Sequence, residues 1–191
     1  MGEPPHLLLI TGAPGSGKTR LAGALKNTLK QRLEVACCAK DEFKETLFEV
    51  LGVGDAVWSR RLSDASFALM FRMAPLLLLP GRLVLLEGNF RRGEHEPAVR
   101  GVLQQCQARL AQVLCAASQE TRRLRLQRRA GDPGRHAGHR DQTIDVGNAS
   151  GGSFLELPGP RLRFDSDRPW ENEFTLLLQE LKNWYASIYE V

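Results

Sequence analysis

Cysteine is too scarce in this sequence for a disulfide framework and too irregularly spaced for a metal ribbon. Only four occur in 191 residues, with Cys37 and Cys38 adjacent and Cys106 and Cys115 far along the chain, and there is no C-x-x-C pair. Adjacent residues of a strand point to opposite faces, so the expectation is four reduced, packing thiols in a cytoplasmic protein. Long hydrophobic runs are also missing. The most apolar stretch, 67–79, is broken by Arg72 and Pro75 and closed by Pro80-Gly81, whereas a membrane span needs about 20 apolar residues. It reads as a core helix, and no membrane association is expected. Residues Met1 to Pro5 carry no basic segment and Leu7 to Ile10 is a short apolar run, so no targeting segment is expected. Aromatic residues make up only 7%, which leaves few platforms for stacking single-stranded bases.

What is present is ordinary in amount and uneven in placement. Apolar residues at 42% and charged residues at 25% suit a soluble globular protein, and the length suits one domain with a substantial core. Net charge is +4, yet from Arg122 to Arg140 seven arginines face one aspartate. That segment alone carries +6, so the rest of the chain carries −2. Positive charge gathered in one short segment points to an anion there, either a nucleotide phosphate or nucleic acid.

Hydrophobic patterning alternates strands with helices. Apolar runs predict strands over 6–11, 33–38, 82–86, 111–116 and 161–165. Helical spacing predicts helices over 17–32, 42–51, 59–79, 94–108, 118–129 and 170–189. Residues 131–152 carry turn formers and little apolar periodicity, the composition of a loop or lid. Such alternation implies one α/β domain over 1–191, a doubly wound parallel five-stranded sheet covered on both faces.

The most specific signal is Gly12-Ala13-Pro14-Gly15-Ser16-Gly17-Lys18-Thr19, a full G-x-x-x-x-G-K-[ST] motif between a buried strand and a helix. Its glycines let the backbone curl until successive N–H groups face phosphate oxygens, and the following helix adds its positive N-terminal end. Lys18 supplies a cation for the β- and γ-phosphates and Thr19 a hydroxyl for Mg²⁺, so ATP and Mg²⁺ are the expected cofactors. Glu87, at the tip of a central strand, sits where it holds a Mg²⁺-bound water, contacts substrate, or is simply solvated. Asn89 and Phe90 follow on a loop that borders an acceptor site, or serve as a turn residue and a packing ring. Asp41 follows the second strand and has two readings: a helix N-cap, or the base that accepts the proton of an attacking hydroxyl. Lys44, one turn further, either meets an anionic part of the acceptor or is solvated. Arg125 and Arg129 share a helix face, and guanidinium forks suit phosphate oxygens. Trp170, in the loop before the last helix, either borders the adenine or anchors that helix in the core. His136 and His139 lack the further ligands of a zinc site.

At these motifs the chain resembles the small P-loop kinases of the polynucleotide kinase, chloramphenicol phosphotransferase and zeta-toxin type. The resemblance runs through GAPGSGKT at 12–19, KDEFKETL at 40–47, VLLEGNF at 84–90, the basic helix at 122–129, GRHAGHRD at 134–141 and RFDSD at 163–167. It implies a P-loop NTPase fold of the nucleotide-kinase kind with an Arg-rich lid near 131–152. It also implies Asp41 as the base, Lys44 as a substrate contact, and Arg125, Arg128 and Arg129 as the segment that supplies nucleotide-clamping arginines. The segment around Arg135, His136 and His139 is similar to a lid of uncharacterised relatives, with Ala137 in place of a proline, and Arg135 is read as a substrate contact. The expected function is therefore transfer of the ATP γ-phosphoryl group to a hydroxyl of a small molecule. A polynucleotide 5′-hydroxyl acceptor and an ATP-binding switch without an acceptor are the alternatives.

Overall fold

A computed structural model of the chain describes residues 3–134, 136, 138 and 152–185. Five strands form one sheet in the order β2-β3-β1-β4-β5, every neighbour parallel. They are β1 (His6–Thr11), β2 (Glu34–Ala39), β3 (Arg82–Glu87), β4 (Arg109–Ala116) and β5 (Arg161–Asp165). The helices are α1 (Lys18–Leu29), α2 (Lys40–Leu51), α3 (Ala56–Leu77), α4 (Glu96–Cys106), α5 (Gln119–Ala130) and α6 (Trp170–Trp184). This is the α/β P-loop architecture, with β1 central and the strand order reversing around it.

The pleat of the strands distributes two cores. On β1, Leu8 and Ile10 face α1 and α6, where Leu21, Leu25 and Leu177 complete one cluster with Phe164 of β5. Leu7 and Leu9 face the other way, onto Phe67 and Met70 of α3 and Val99 of α4. A strand buried on both faces must be apolar at every position, which is why β1 reads as a run rather than an alternation. The adjacent cysteines obey the same rule. Cys38 joins the α3 core and Cys37 packs against the α1 core, both as free thiols.

Boundaries shift where capping decides them. Helix α3 begins at Ala56 rather than 59, because the Asp55 carboxylate accepts the Trp58 N–H at 2.8 Å and caps the turn. Pro75 sits in its last turn, two residues before it stops. Helix α2 begins at Lys40 behind an extended Ala39, with no side-chain cap. Asp41 is therefore inside the first turn, and its reading as an N-cap is corrected. Among the described residues, no helix is long and apolar enough to cross a membrane.

One buried amide was invisible to the apolar pattern. Gln112 of β4 exchanges two hydrogen bonds with the backbone of Leu155, so the chain returning toward β5 is tied across the sheet. Three residues earlier, Gly152 lies against Gly12, and a Cβ there would overlap the Gly12 backbone.

Candidate active site

The C-terminal ends of β1, β2 and β3 open on one cleft of about 1150 Å³. The phosphate-loop motif forms its first wall. Gly12, Gly15 and Gly17 have φ of 155°, 79° and 96°, and a side chain on Gly12 would run into the Cys115 carbonyl, so the tight curl requires glycine there. The loop is supported from behind. Cys115 donates its S–H to the Ser16 carbonyl at 3.0 Å, and burial pushes that thiol up to about 11, which keeps it a neutral packing group. Gly12, Ala13 and Ser16 lie in this supported back of the loop, whereas Pro14, Gly15, Gly17, Lys18 and Thr19 face the cleft.

Lys18 donates to the Ala13 carbonyl at 3.1 Å. Burial lowers its proton affinity, opposed by the negative charges of Glu87 and Asp41. Glu87, only 2% exposed at the tip of β3, accepts the Thr19 hydroxyl at 3.3 Å. Burial raises its pKa, while the Lys18 charge pulls the other way. The solvated reading of Glu87 is corrected: it is a buried carboxylate between a lysine and a hydroxyl. Asp41 pairs with Lys40 at 2.6 Å, its side chain 53% exposed toward the cleft against 10% for Lys40.

The second wall is the hairpin of α2 and α3. Lys44 comes from α2, with Ser59, Arg60 and Ser63 opposite on α3. Lys44 is not solvated: it is 3% exposed and donates to the Ser59 hydroxyl at 2.8 Å. Asn89 and Arg91 close the far side, and Arg91 is braced by both oxygens of Glu94 at 2.9 and 2.7 Å. Phe90 turns into the core.

Helix α5 divides its arginines. Arg129 lines the cleft, while Arg128 is exposed outside it. Arg125 instead binds the back of the phosphate loop, donating to the Gly15 carbonyl at 3.2 Å and to Ser166 at 2.9 Å (Oγ) and 3.0 Å (carbonyl). Ser166 in turn donates to the Ser16 carbonyl at 2.8 Å. Sequence spacing put Arg125 and Arg129 on one face and could not separate these roles. It missed Ser166, whose signal was its place in the loop after β5. Trp170 stacks with Phe174 and meets Phe164 edge-on, as a core anchor, and the Arg20 guanidinium covers it at 4.0 Å. His136 reaches Phe48 and Glu49 of α2. Arg135 and His139, with most of 131–152, lie outside the described residues.

Solved structures share this architecture over nearly the whole chain. A provisionally named kinase from Chloroflexus aurantiacus j-10-fl is 28% identical, with TM-score 0.81, covering 95% of this chain and 98% of its own. The APS kinase CysC of Mycobacterium tuberculosis, in complex with AMPPNP and APS, is 21% identical with TM-score 0.62, covering 94% and 99%. Kti12 of Chaetomium thermophilum, in complex with ADP-AlF3, is 14% identical with TM-score 0.64, covering 93% and 97%. The fold is thus one that P-loop phosphotransferases use. Among proteins of curated function, none matches the sequence. The family described as an AAA domain matches residues 7–150, more than half of the chain, and the protein belongs to that family.

Proposed function

We propose that this protein is an ATP-dependent kinase that transfers the γ-phosphoryl group to a hydroxyl of a small molecule. One observation carries the reading. The phosphate loop and a separate polar wall open on the same cleft, with the carboxylate of Asp41 between them. A nucleotide binder without an acceptor has no use for that second wall. The kinase name of the 28% identical Chloroflexus protein and the nucleotide-loaded APS kinase agree with this reading. Within it, our reading places the chain near the branch that includes polynucleotide kinase, chloramphenicol phosphotransferase and zeta toxin, whose motifs it resembles.

The residues divide the work. Backbone N–H groups of Gly15 to Thr19 and the α1 N-terminus hold the phosphates, and Lys18 leaves the Ala13 carbonyl to meet the β- and γ-oxygens. Asp41 accepts the proton of the acceptor hydroxyl, with Lys40 fixing its carboxylate. Arg129 adds positive charge from the lid side, and Arg125 keeps the loop and the 165–170 turn in register. Thr19, Glu87 and Asp41 offer only oxygen donors, which suits Mg²⁺. Among the described residues no group of three or more His, Cys, Asp and Glu could cage a metal, so Mg²⁺ would take most of its ligands from phosphate and water. When bound, that ion supplies charge neutralisation of the phosphate oxygens.

The test is an ATP-consumption screen over hydroxylated metabolites, antibiotics and 5′-hydroxyl oligonucleotides, read by ADP release and by product mass. A small-molecule product carrying one added phosphoryl group is expected. Phosphorylation of oligonucleotides alone would move the acceptor to nucleic acid, and nucleotide binding without transfer to any class would leave a switch.

A further inference from the structure

We propose that His136 and Gly138 are positioning residues: they clasp the Phe48 ring of α2 and so fix the end of α5, with Arg129, over the cleft. This rests on the kinase reading and adds what sets its lid-side cation. Helix α5 supplies the need. None of its residues is fully buried, so little apolar packing holds the exposed Arg129 near its end. Polar contacts tie the first part of the helix instead, through the Ser118 cap and the bonds of Arg125 to Gly15 and Ser166. Arg129 lies one turn past those ties.

What holds that end comes further along the chain. The Asp132 N–H donates to the Arg129 carbonyl at 3.1 Å and the Gly134 N–H to the Asp132 carboxylate at 2.9 Å, so a close turn follows the helix rather than slack chain. The His136 ring then lies over Phe48, with centroids 6.0 Å apart and planes 26° from parallel, and its Nε2 is 3.8 Å from a Glu49 carboxylate oxygen. Its Nδ1 accepts the Gly138 N–H at 3.1 Å, which closes this turn onto the ring. Gly138 is buried, and a Cβ on it would overlap Phe48. That ring is itself 2% exposed and has nowhere to yield. The motif at 134–141 thus gains a physical reason at two positions: glycine where backbone meets a buried ring, and histidine where an acceptor fixes the turn.

Position gives the clasp its consequence. Phe48 follows Asp41 by seven residues, two turns along the same face of α2. Arg129, Asp132, Gly134, His136 and Gly138 line the cleft that Asp41 also lines. The clasp therefore joins the helix of the proposed base to the segment of the lid-side cation, and sets both at one spacing. Displacing such a group by about 1 Å costs up to about 10²-fold in rate.

A thermodynamic cycle on the full chain tests this, with AMPPNP and Mg²⁺ as the probe and calorimetric titration as the readout. Arg129→Gln is expected to weaken AMPPNP about tenfold, the scale of one charge-assisted hydrogen bond. Gly138→Ala drives a methyl into Phe48, and His136→Ala removes the acceptor of the turn. Each should weaken AMPPNP severalfold in the wild-type background and no further beside Arg129→Gln. A merely structural role would weaken binding equally in both backgrounds, and that result overturns the proposal. Unchanged affinity in His136→Ala or in Arg129→Gln overturns it too, and His136→Ala decides alone if Gly138→Ala does not fold. Hydrogen exchange at residues 126–130 without nucleotide keeps the two readings apart. Wild-type protein that does not bind AMPPNP refutes the kinase reading; faster exchange in the variants then retains the clasp, and unchanged exchange removes it.

Discussion

Replacing Gln112 with leucine cuts the tie between the central sheet and the chain that returns toward β5. Gln112 is 1% exposed; its Oε1 accepts the Leu155 N–H at 2.8 Å and its Nε2 donates to the Leu155 carbonyl at 3.1 Å. The two losses are unequal. The Leu155 carbonyl also accepts from the Leu157 N–H at 2.8 Å and from Arg161 at 3.3 Å, so it keeps partners. The buried N–H has no second acceptor among the described residues. An orphaned buried donor costs about 1–3 kcal/mol and each lost bond about 1 kcal/mol net, while the leucine side chain returns about 1 kcal/mol of burial. The balance is a destabilisation of about 2 kcal/mol, or about 4–8 °C in Tm for a domain of this size. Urea unfolding with calorimetry measures it. A variant as stable as wild type, with an unchanged urea slope, would refute the assignment of Gln112 as the tie. Because Gly152 rests on Gly12, the same variant should also bind ATP more weakly.

Lys18→Ala removes the cation facing the phosphates, and calorimetric titration should show ATP affinity falling about 10²-fold, on the scale of two charge-assisted hydrogen bonds; unchanged affinity would remove the phosphate-loop assignment. Asp41→Asn keeps the shape of the side chain and should leave ATP affinity near wild type while transfer to the identified acceptor falls about 10²-fold or more. Normal transfer by that variant would return Asp41 to a structural role in the first turn of α2. Stability should also depend on His6 and His95, whose pKa values burial lowers in the fold. The unfolded chain then binds more protons below its histidine pKa of about 6.5, so stability is present above that pH and is lost as pH falls through it toward the folded values. Urea midpoints measured from about pH 7.5 to 5.5 should decline, and His6→Leu should flatten part of the slope; equal slopes in the two proteins would contradict the assignment to His6.

Sheet and phosphate loop were legible because local physics specifies them. A strand covered on both faces has to be an unbroken apolar run, and β1 and β3 are. The phosphate loop needs glycine where backbone and carbonyl crowd, and the observed φ values fall at those glycines. Helix starts were less legible. Helix α2 opens on Lys40 with no capping side chain, so nothing in the residues separated a capping Asp41 from one inside the first turn. Gln112 was hidden in the opposite sense, since one amide inside an apolar strand carries no period, and its partner lies 43 residues away.

The α2–α3 wall of the cleft was the least legible part, for a reason that bears on the proposed function. On a helix that merely covers a sheet, the charged face is the solvated one. Helix α2 breaks that rule in part: Lys40 and Lys44 are buried along with Phe48, while Val50 and Leu51 at its end are exposed. The departure appears only when α3 is laid against α2 and turns their shared polar face toward the phosphate loop. Covering two lysines costs stability, and such a cost persists where a binding or catalytic role requires it. The phosphate loop has its own cation in Lys18 and a braced arginine in Arg125 behind it, so the nucleotide does not account for Lys44. In the kinase proposed above, that role falls to the acceptor side of the cleft.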